Sequence, residues 1–212
     1  MIRILLVDDH ELVRTGVEFL LNAQQNLSVV GVVGSGEEAL VATQNLNPDV
    51  VLMDINMPGI GGVEASKRLL QRFPDIKIIV LSVHSDGPLP QQLMKMGAKG
   101  FLCKDSGVEE MVSAINDVVH GKRFICQEVI NHLAFSTLGT GEDLSPFEKL
   151  TPRELAVVTM VVDGCSIREI AKVLSITEKT VNTYRYRLHD KLQVKNDVEL
   201  TRMAIKYEFI DP

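Results

Sequence analysis

Five short apolar runs alternate with longer amphipathic stretches over the first 122 residues, and this alternation leaves few folds open. The runs are rich in Val, Ile and Leu and lie at 2–7, 28–33, 49–53, 76–81 and 100–103. The amphipathic stretches lie at 11–23, 36–46, 61–72, 88–96 and 107–120. Strands that are buried on both faces have continuous apolar sequences, and parallel strands need crossover helices. Five such β–α units predict an α/β fold, with a doubly wound five-stranded parallel sheet of order 2-1-3-4-5.

The pattern becomes helical throughout towards the C-terminus, and capping residues mark the helix starts. Thr151 and Ser166 each precede a glutamate by three residues, which is the capping box of a helix N-terminus. Thr177 and Asp197 are candidate caps of two further helices, and a tight connection at 174–176 is typical of a helix-turn-helix. We therefore predict a first domain at 1–122, a linker at 123–148 with a short helix at 127–133, and a small all-α four-helix helix-turn-helix domain at 149–212.

The net charge of −6 is distributed unevenly along the chain. The first 122 residues hold 10 basic and 15 acidic side chains, whereas residues 149–212 hold 11 basic and 9 acidic ones. An acidic first part and a basic second part indicate different partners for the two domains. No apolar run reaches the roughly 18 residues of a membrane span, and the N-terminus lacks the features of a signal peptide. We therefore expect a soluble, cytoplasmic protein without a membrane partner, whose three cysteines are reduced and structural.

Acidic residues follow two strands that the predicted strand order makes neighbours. Asp8 and Asp9 follow the first strand and Asp54 follows the third, so their carboxylates should converge at the topological switch point of the sheet. Three converging carboxylates repel one another, and a hard cation such as Mg²⁺ relieves that repulsion. Taken alone, each aspartate could equally belong to a solvated acidic loop.

A hydroxyl and an ammonium are expected at the same edge of the sheet. Ser82 ends the fourth strand and Lys104 follows the fifth. Together with a metal-bound carboxylate, these groups suit a phosphoryl group, because the cations neutralise its oxygens and the hydroxyl donates a hydrogen bond. Asp54 could then act as the nucleophile on phosphorus.

These residues resemble the motif set of bacterial two-component receiver domains: Asp8-Asp9, MDINMPG at 53–59, Ser82, and FLCK at 101–104. The resemblance implies that Asp54 is the phospho-acceptor and that Ser82 and Lys104 bind the phosphoryl group. It also implies that Asp9, Asp54 and the Asn56 backbone carbonyl ligate Mg²⁺, with Asp8 helping through water. Phe101 would be the switch aromatic, which moves inward when Ser82 moves.

The sequence departs from many receivers after the lysine, where Asp105 replaces a proline that is preceded by a cis bond. A cis bond to a residue other than proline costs roughly 3 kcal/mol, so we expect a trans bond here. His84 lies near the site in sequence, and we expect it to be a loop residue rather than a ligand.

The third helix of the second domain carries two different faces. Val181, Tyr184, Leu188 and Leu192 recur at helical spacing and should pack on the first two helices. On the other face we expect base contacts from Asn182, Thr183 and Tyr186, and phosphate contacts from flanking residues, namely Lys179, Arg185, Arg187 and Lys191, with Thr180 beside them. Without its context, this face could be the solvated side of a structural helix.

Residues 149–209 resemble the LuxR-type C-terminal domain of the NarL/FixJ family of response regulators. The matching residues are LTPRE at 150–154, Gly164, EIA at 169–171, Leu174, Thr180-Val181 and Lys191-Leu192. The resemblance implies a phosphorylation-activated transcriptional regulator that binds promoter DNA, dimerises on phosphorylation and can contact RNA polymerase. Segments at 88–90, 145–147, 180–187 and 197–201 resemble one subgroup of the family, whose kinase is a hybrid sensor histidine kinase.

Two other classes of protein use part of this residue set. A phosphatase of the haloacid dehalogenase type forms an aspartyl phosphate but needs a second aspartate two positions after the nucleophile, where this chain has Asn56. The missing general acid argues against an enzyme. A LuxR regulator gated by a small molecule should lack the acidic cluster altogether. Binding of beryllofluoride that depends on Mg²⁺ would separate these classes.

Overall fold

The computed structural model describes residues 1–82, 89–131, 145–207 and 209, and it confirms the parallel α/β sheet. The strands are β1 (Ile2–Val7), β2 (Leu27–Val33), β3 (Val50–Asp54), β4 (Lys77–Ser82), β5 (Gly100–Cys103) and β6 (Phe124–Ile125). The helices between them are α1 (Glu11–Asn22), α2 (Gly36–Leu46), α3 (Gly61–Arg72), α4 (Leu89–Met96) and α5 (Val108–Val119). Their order in the sheet is β2-β1-β3-β4-β5-β6.

The sheet has six strands, so the prediction of five was one strand short. Strand β6 is only two residues long and pairs in parallel with β5, Gly100 opposite Phe124 and Phe101 opposite Ile125. A two-residue strand is too short to leave a periodic pattern, and it lies in the segment that we predicted to be linker.

Alternate residues of each central strand enter different cores on the two faces of the sheet. On one face, Leu5, Val7, Val51 and Met53 pack beneath α2, α3 and α4. On the other face, Ile4, Leu6, Val50 and Leu52 pack beneath α1 and α5. The two buried faces explain why these strands have continuous apolar sequences.

The C-terminal domain consists of a short 3₁₀ turn, Pro146–Lys149, and four helices: α6 (Pro152–Val162), α7 (Ile167–Val173), α8 (Glu178–Leu192) and α9 (Asp197–Lys206). Both predicted capping boxes are present, and Thr177 caps α8. The cap of α9 is Asn196 rather than the predicted Asp197, because the Asn196 side chain accepts the hydrogen bond from the backbone N–H of Glu199. The structure therefore places this cap one residue earlier in the chain.

Helix α3 lies against the C-terminal domain through a small group of charged side chains. Glu64 binds Arg68 of its own helix and Arg153 of α6, each at 2.8 Å. Arg68 donates to the carbonyl of Val173 at 3.2 Å, and Arg153 donates to that of Leu174 at 2.7 Å. Glu64 is 6% exposed, so this interdomain cluster holds a nearly buried carboxylate.

Part of the predicted linker lies in the described segments. Residues 127–131 are helical, which agrees with the first part of the helix expected at 127–133, and the remainder of that helix lies outside the described residues. Within the described ranges, no helix combines the length and the apolar character needed to cross a bilayer.

Candidate functional site

The acidic residues converge at the ends of two adjacent strands, as predicted. Strands β1 and β3 pair in parallel with Val7 opposite Met53, so the residues that follow reach the same edge of the sheet. One side-chain atom from each of Asp8, Asp9, His10 and Asp54 lies within 4.8 Å of the others. Asp8 and Asp54 are fully buried. This cluster could hold a metal ion, and its carboxylate oxygens suit a hard cation.

Lys104 joins the two buried carboxylates. Its Nζ lies 2.7 Å from Asp54 Oδ2 and 2.8 Å from Asp8 Oδ2. The backbone N–H of Lys104 donates to the carbonyl of Ser82 at 2.7 Å, because β4 and β5 end side by side. Ser82 is 1% exposed, so a hydroxyl and an ammonium are placed at this buried edge together with Asp54.

The environment of Asp54 opposes its ionisation. Burial raises the pKa of Asp54 to about 6, although hydrogen bonds from Lys104 and from the backbone N–H of Asn56 act in the other direction. Burial also disfavours the charged form of Lys104, but its bonds to Asp54 and Asp8 outweigh this effect and raise the pKa of Lys104. The ammonium thus stays charged and compensates part of the negative charge around it.

The loop after β3 approaches Asp54 closely because of a glycine. A Cβ at Gly62 would lie 1.9 Å from the carbonyl oxygen of Asp54, so any larger residue would displace the start of α3. Asn56 lies in this loop, with its side chain exposed and its N–H bound to Asp54 Oδ1 at 3.0 Å. The loop is therefore held directly to the candidate nucleophile.

His10 and Arg14 belong to the site but were not identified from the sequence. His10 Nδ1 lies 3.2 Å from Asp8 Oδ1 and 2.9 Å from Asp9 Oδ1, and an Arg14 N–H donates to the backbone carbonyl of Asp8 at 2.5 Å. The position of His10 directly after the aspartate pair could have indicated it. Arg14 is one helical turn further on and carries no comparable signal.

Three further positions of the first domain had sequence-based expectations: Phe101, the bond after Lys104, and His84. Phe101 is fully buried in the core beneath α3 and α4, so its ring already occupies an inward position. The bond between Lys104 and Asp105 is trans as expected, since there are no cis peptide bonds in the described part of the chain. His84 lies outside the described residues.

Helix α8 presents a polar surface to solvent. Val181, Leu188 and Leu192 are buried against the other helices, as predicted. Tyr186 is 74% exposed, and Lys179, Thr183 and Arg187 are exposed as well. Thr180 and Asn182 are half-buried beside them. These six residues form one continuous candidate DNA surface.

Two of the residues predicted to contact phosphates, both on α8, are bound within the domain, as is a histidine of the same helix. Arg185 and His189 both bind the carboxylate of Asp197 at the start of α9. Lys191 Nζ lies 2.8 Å from Glu154, the residue that completes the first capping box. Burial disfavours the Glu154 carboxylate, but the bonds from Lys191 and Thr151 hold the pKa of Glu154 below its usual value. The sequence pattern predicted phosphate contacts from Arg185 and Lys191 because it could not show that Asp197 and Glu154 bind them.

Two families match the chain. Residues 4–116 match the response regulator receiver domain, and residues 148–204 match the luxR family of bacterial regulatory proteins. The chain therefore belongs to the response regulators that combine a receiver domain with a LuxR-type DNA-binding domain.

Within that class, the chain is similar to the response regulators GacA and UvrY, the subgroup that segments of the sequence resemble. It is 43% identical to the response regulator GacA of Pseudomonas aeruginosa over 211 residues, which are 100% of this chain and 99% of that protein. It is 44% identical to the response regulator UvrY of Escherichia coli K12 over 207 residues, 98% of this chain and 95% of that one.

A solved structure shares the whole fold. RcsB from Salmonella enterica serovar Typhimurium, bound to the rprA promoter with the phosphomimetic BeF₃⁻, matches with a TM-score of 0.76. The match covers 95% of this chain and 97% of that one at 23% identity, and it supports the fold alone.

Proposed function

We propose that Asp54 accepts a phosphoryl group from a phosphohistidine of a sensor histidine kinase, and that the phosphorylated chain regulates transcription through α8. The bridge from Lys104 to both Asp54 and Asp8, at 2.7 and 2.8 Å, carries this proposal. It puts a cation beside a buried nucleophile at the edge of the sheet where ligands of this fold bind.

The proposed transfer uses the two oxygens of Asp54 differently. Asn56 N–H holds Oδ1 and Lys104 holds Oδ2, so the carboxylate has a fixed direction. An oxygen of Asp54 forms the new bond to phosphorus as the bond between phosphorus and the imidazole nitrogen of the donor breaks. Lys104 then binds a phosphoryl oxygen and stabilises its negative charge. Asp8, Asp9, Asp54 and the Asn56 carbonyl would hold Mg²⁺, which neutralises the phosphoryl oxygens when bound.

For the output we propose a division of roles on α8. Asn182, Thr183 and Tyr186 contact bases, and Lys179, Thr180 and Arg187 contact phosphates. We assign Arg185 and Lys191 to positioning the helix, because Asp197 and Glu154 already bind them. This revises the phosphate contacts expected of these two residues.

The likeness to GacA and UvrY supports the remaining assignments. We propose a hybrid sensor histidine kinase as donor, a homodimer as the phosphorylated form, promoter DNA as target, RNA polymerase as a further partner and the cytoplasm as location. The domain limits 1–122, 123–148 and 149–212 belong to the same proposal, with β6 as an extension of the sheet into the linker.

The test is phosphoryl transfer from a phosphohistidine donor to the full chain and to Asp54→Asn. Asp105→Asn is the matched control, since it removes an exposed carboxylate next to Lys104. We expect labelling of the wild type and the control and none of Asp54→Asn. Equal labelling of all three proteins would show that another residue is the acceptor.

A further inference from the structure

Two cysteines that the proposed chemistry does not use are in contact at the edge of the sheet. Cys103 is the last residue of β5, and Cys126 directly follows β6. Their Sγ atoms are 3.0 Å apart, and the side chains are 2% and 0% exposed. The backbone N–H of Cys126 donates to the carbonyl of Phe101 at 3.0 Å, so the pairing of the two strands sets this contact.

We propose that Cys103 and Cys126 form a reversible intramolecular disulfide when the chain meets a hydroperoxide. The sulfur separation needs to shorten from 3.0 Å to about 2.05 Å, a movement of about 1 Å that side-chain rotation can supply. Both cysteines are free thiols in this structure, and their backbones are already held by the β5–β6 ladder.

A thiolate metal site is the competing use of these groups, because Glu128 offers a third ligand atom nearby. Two thiolates that share a tetrahedral zinc ion, each at about 2.3 Å, keep their sulfurs about 3.8 Å apart. The observed 3.0 Å is shorter than that and lies on the way to a covalent bond. The geometry therefore favours the disulfide over the metal.

The oxidation is balanced by one hydroperoxide. One thiolate attacks the peroxide oxygen, which gives a sulfenic acid and releases an alcohol, or water in the case of hydrogen peroxide. The second thiol then attacks the sulfenic sulfur, the S–S bond forms, and the sulfenic oxygen leaves as water with the remaining proton. A dithiol reductant reverses the bond by thiol–disulfide exchange.

Access to the pair sets the rate of this reaction. Burial and the neighbouring Cys126 thiol raise the pKa of Cys103, so the closed structure holds little thiolate. Strand β6 is two residues long and lies at the sheet edge, so its local opening is the route by which oxidant reaches the sulfurs. We therefore expect slow oxidation that speeds up when β6 is loosened.

The bond would join two functional parts of the chain. Cys103 precedes Lys104, which binds Asp54, and Cys126 precedes the helical residues 127–131 on the way to the C-terminal domain. Given the proposed function, the disulfide would restrain the strand that carries Lys104. The disulfide itself does not depend on that function, so its test is purely chemical.

The experiment counts free thiols in the full chain before and after hydrogen peroxide, and maps the cysteine peptides by mass spectrometry without reduction. We expect the three thiols to fall to one, with the peptides of Cys103 and Cys126 joined and two hydrogens lighter, and dithiothreitol to restore all three. Cys165→Ser is the control variant, and its two thiols should fall to none, because Cys165 lies in the other domain.

Three results would overturn the proposal. The first is that Cys103 and Cys126 both remain free thiols in both proteins under oxidation that sulfenylates Cys165 in the wild type. The second is a disulfide that involves Cys165 between two chains. The third is that Cys103 and Cys126 resist hydrogen peroxide until a chelator is added, because that result identifies a bound metal. Cys126→Ala, with its fold checked by circular dichroism, should keep Cys103 from pairing at all.

Discussion

Asp54, the proposed phospho-acceptor, combines full burial with the need to be ionised when it attacks phosphorus. Its pKa of about 6 lies above the ordinary value of 3.8, so the folded protein binds a proton there more tightly than the unfolded chain does. The free energy of unfolding therefore falls as pH rises from about 4 to about 6. At neutral pH the Asp54 carboxylate is therefore ionised although its burial disfavours the charge.

Removing that charge should stabilise the protein. In buffer without divalent ions at pH 7, we expect Asp54→Asn to raise the free energy of unfolding by at most about 3 kcal/mol, the equivalent of a two-unit pKa shift. The loss of the Lys104 bond offsets part of this gain. Urea unfolding of both proteins at pH 4 and pH 7 measures the difference. A gain that is equally large at pH 4, where both side chains are neutral, would show that charge is not the cause.

The two kinds of DNA contact proposed for the polar face of α8 can be separated by substitutions of single residues. We expect Asn182→Ala to weaken binding to the cognate site by roughly 1–3 kcal/mol and to flatten discrimination among mutated sites. Lys179→Ala should weaken cognate and scrambled DNA alike and lower the salt slope by about one. Titrations on both duplexes at several salt concentrations test this. If Asn182→Ala weakens binding to the cognate and the scrambled duplex by the same free energy, Asn182 contacts the DNA backbone and other residues contact the bases.

Among the elements, the helix starts of the C-terminal domain were the most predictable. A cap depends on residues three apart in sequence, so Thr151 and Ser166 were sufficient to predict α6 and α7. The convergence of Asp8, Asp54 and Lys104 followed from strand order alone. Strand β6 and the binding of Lys191 to Glu154 were not predictable in this way, since both depend on contacts between distant segments.

The bond between α6 and α8 carries its own prediction. Lys191→Ala leaves Glu154 nearly buried without its cation, and we expect the C-terminal domain to lose about 1 kcal/mol of stability, as the Lys191 side chain is 40% exposed. The pKa of Glu154 is lowered in the fold, so this contribution is present at neutral pH and is lost as pH falls through that pKa. Thermal unfolding at pH 7 and pH 3 measures it, with the exposed Lys195→Ala as control. If Lys191→Ala instead lowers the salt slope of DNA binding by about one and leaves stability unchanged, Lys191 contacts a phosphate as first predicted.

In the whole molecule, a few charged groups hold the two domains together. A cavity of about 600 Å³ lies between them, lined by Asn56 and Met57 on one side and Met160 and Cys165 on the other. Beside this gap, the Glu64–Arg153 pair joins the domains at 2.8 Å through a carboxylate whose side chain is 8% exposed.

Loss of that pair should separate the domains. Arg153→Ala leaves Glu64 with Arg68 as its remaining cation, so we expect a loss of about 2 kcal/mol and an extended form with a larger radius of gyration. Small-angle X-ray scattering measures the change, and Arg168→Ala is the control because that arginine is exposed on the neighbouring helix. An unchanged radius in Arg153→Ala would show that other contacts are sufficient for docking.

The exposure of Thr183, Tyr186 and Arg187 while the domains are docked changes what an activating signal has to supply. A covered helix would make each copy silent until it was unmasked. Here the residues proposed to contact DNA are already exposed, so we expect a single copy to bind a half-site with the same weak affinity in either phosphorylation state. With the homodimer proposed as the phosphorylated form, control would act on the number of copies that bind together, and occupancy of paired half-sites would rise with the square of the active monomer concentration. We expect a regulator of this kind to respond to its signal with a threshold, while its unphosphorylated copies bind single half-sites weakly.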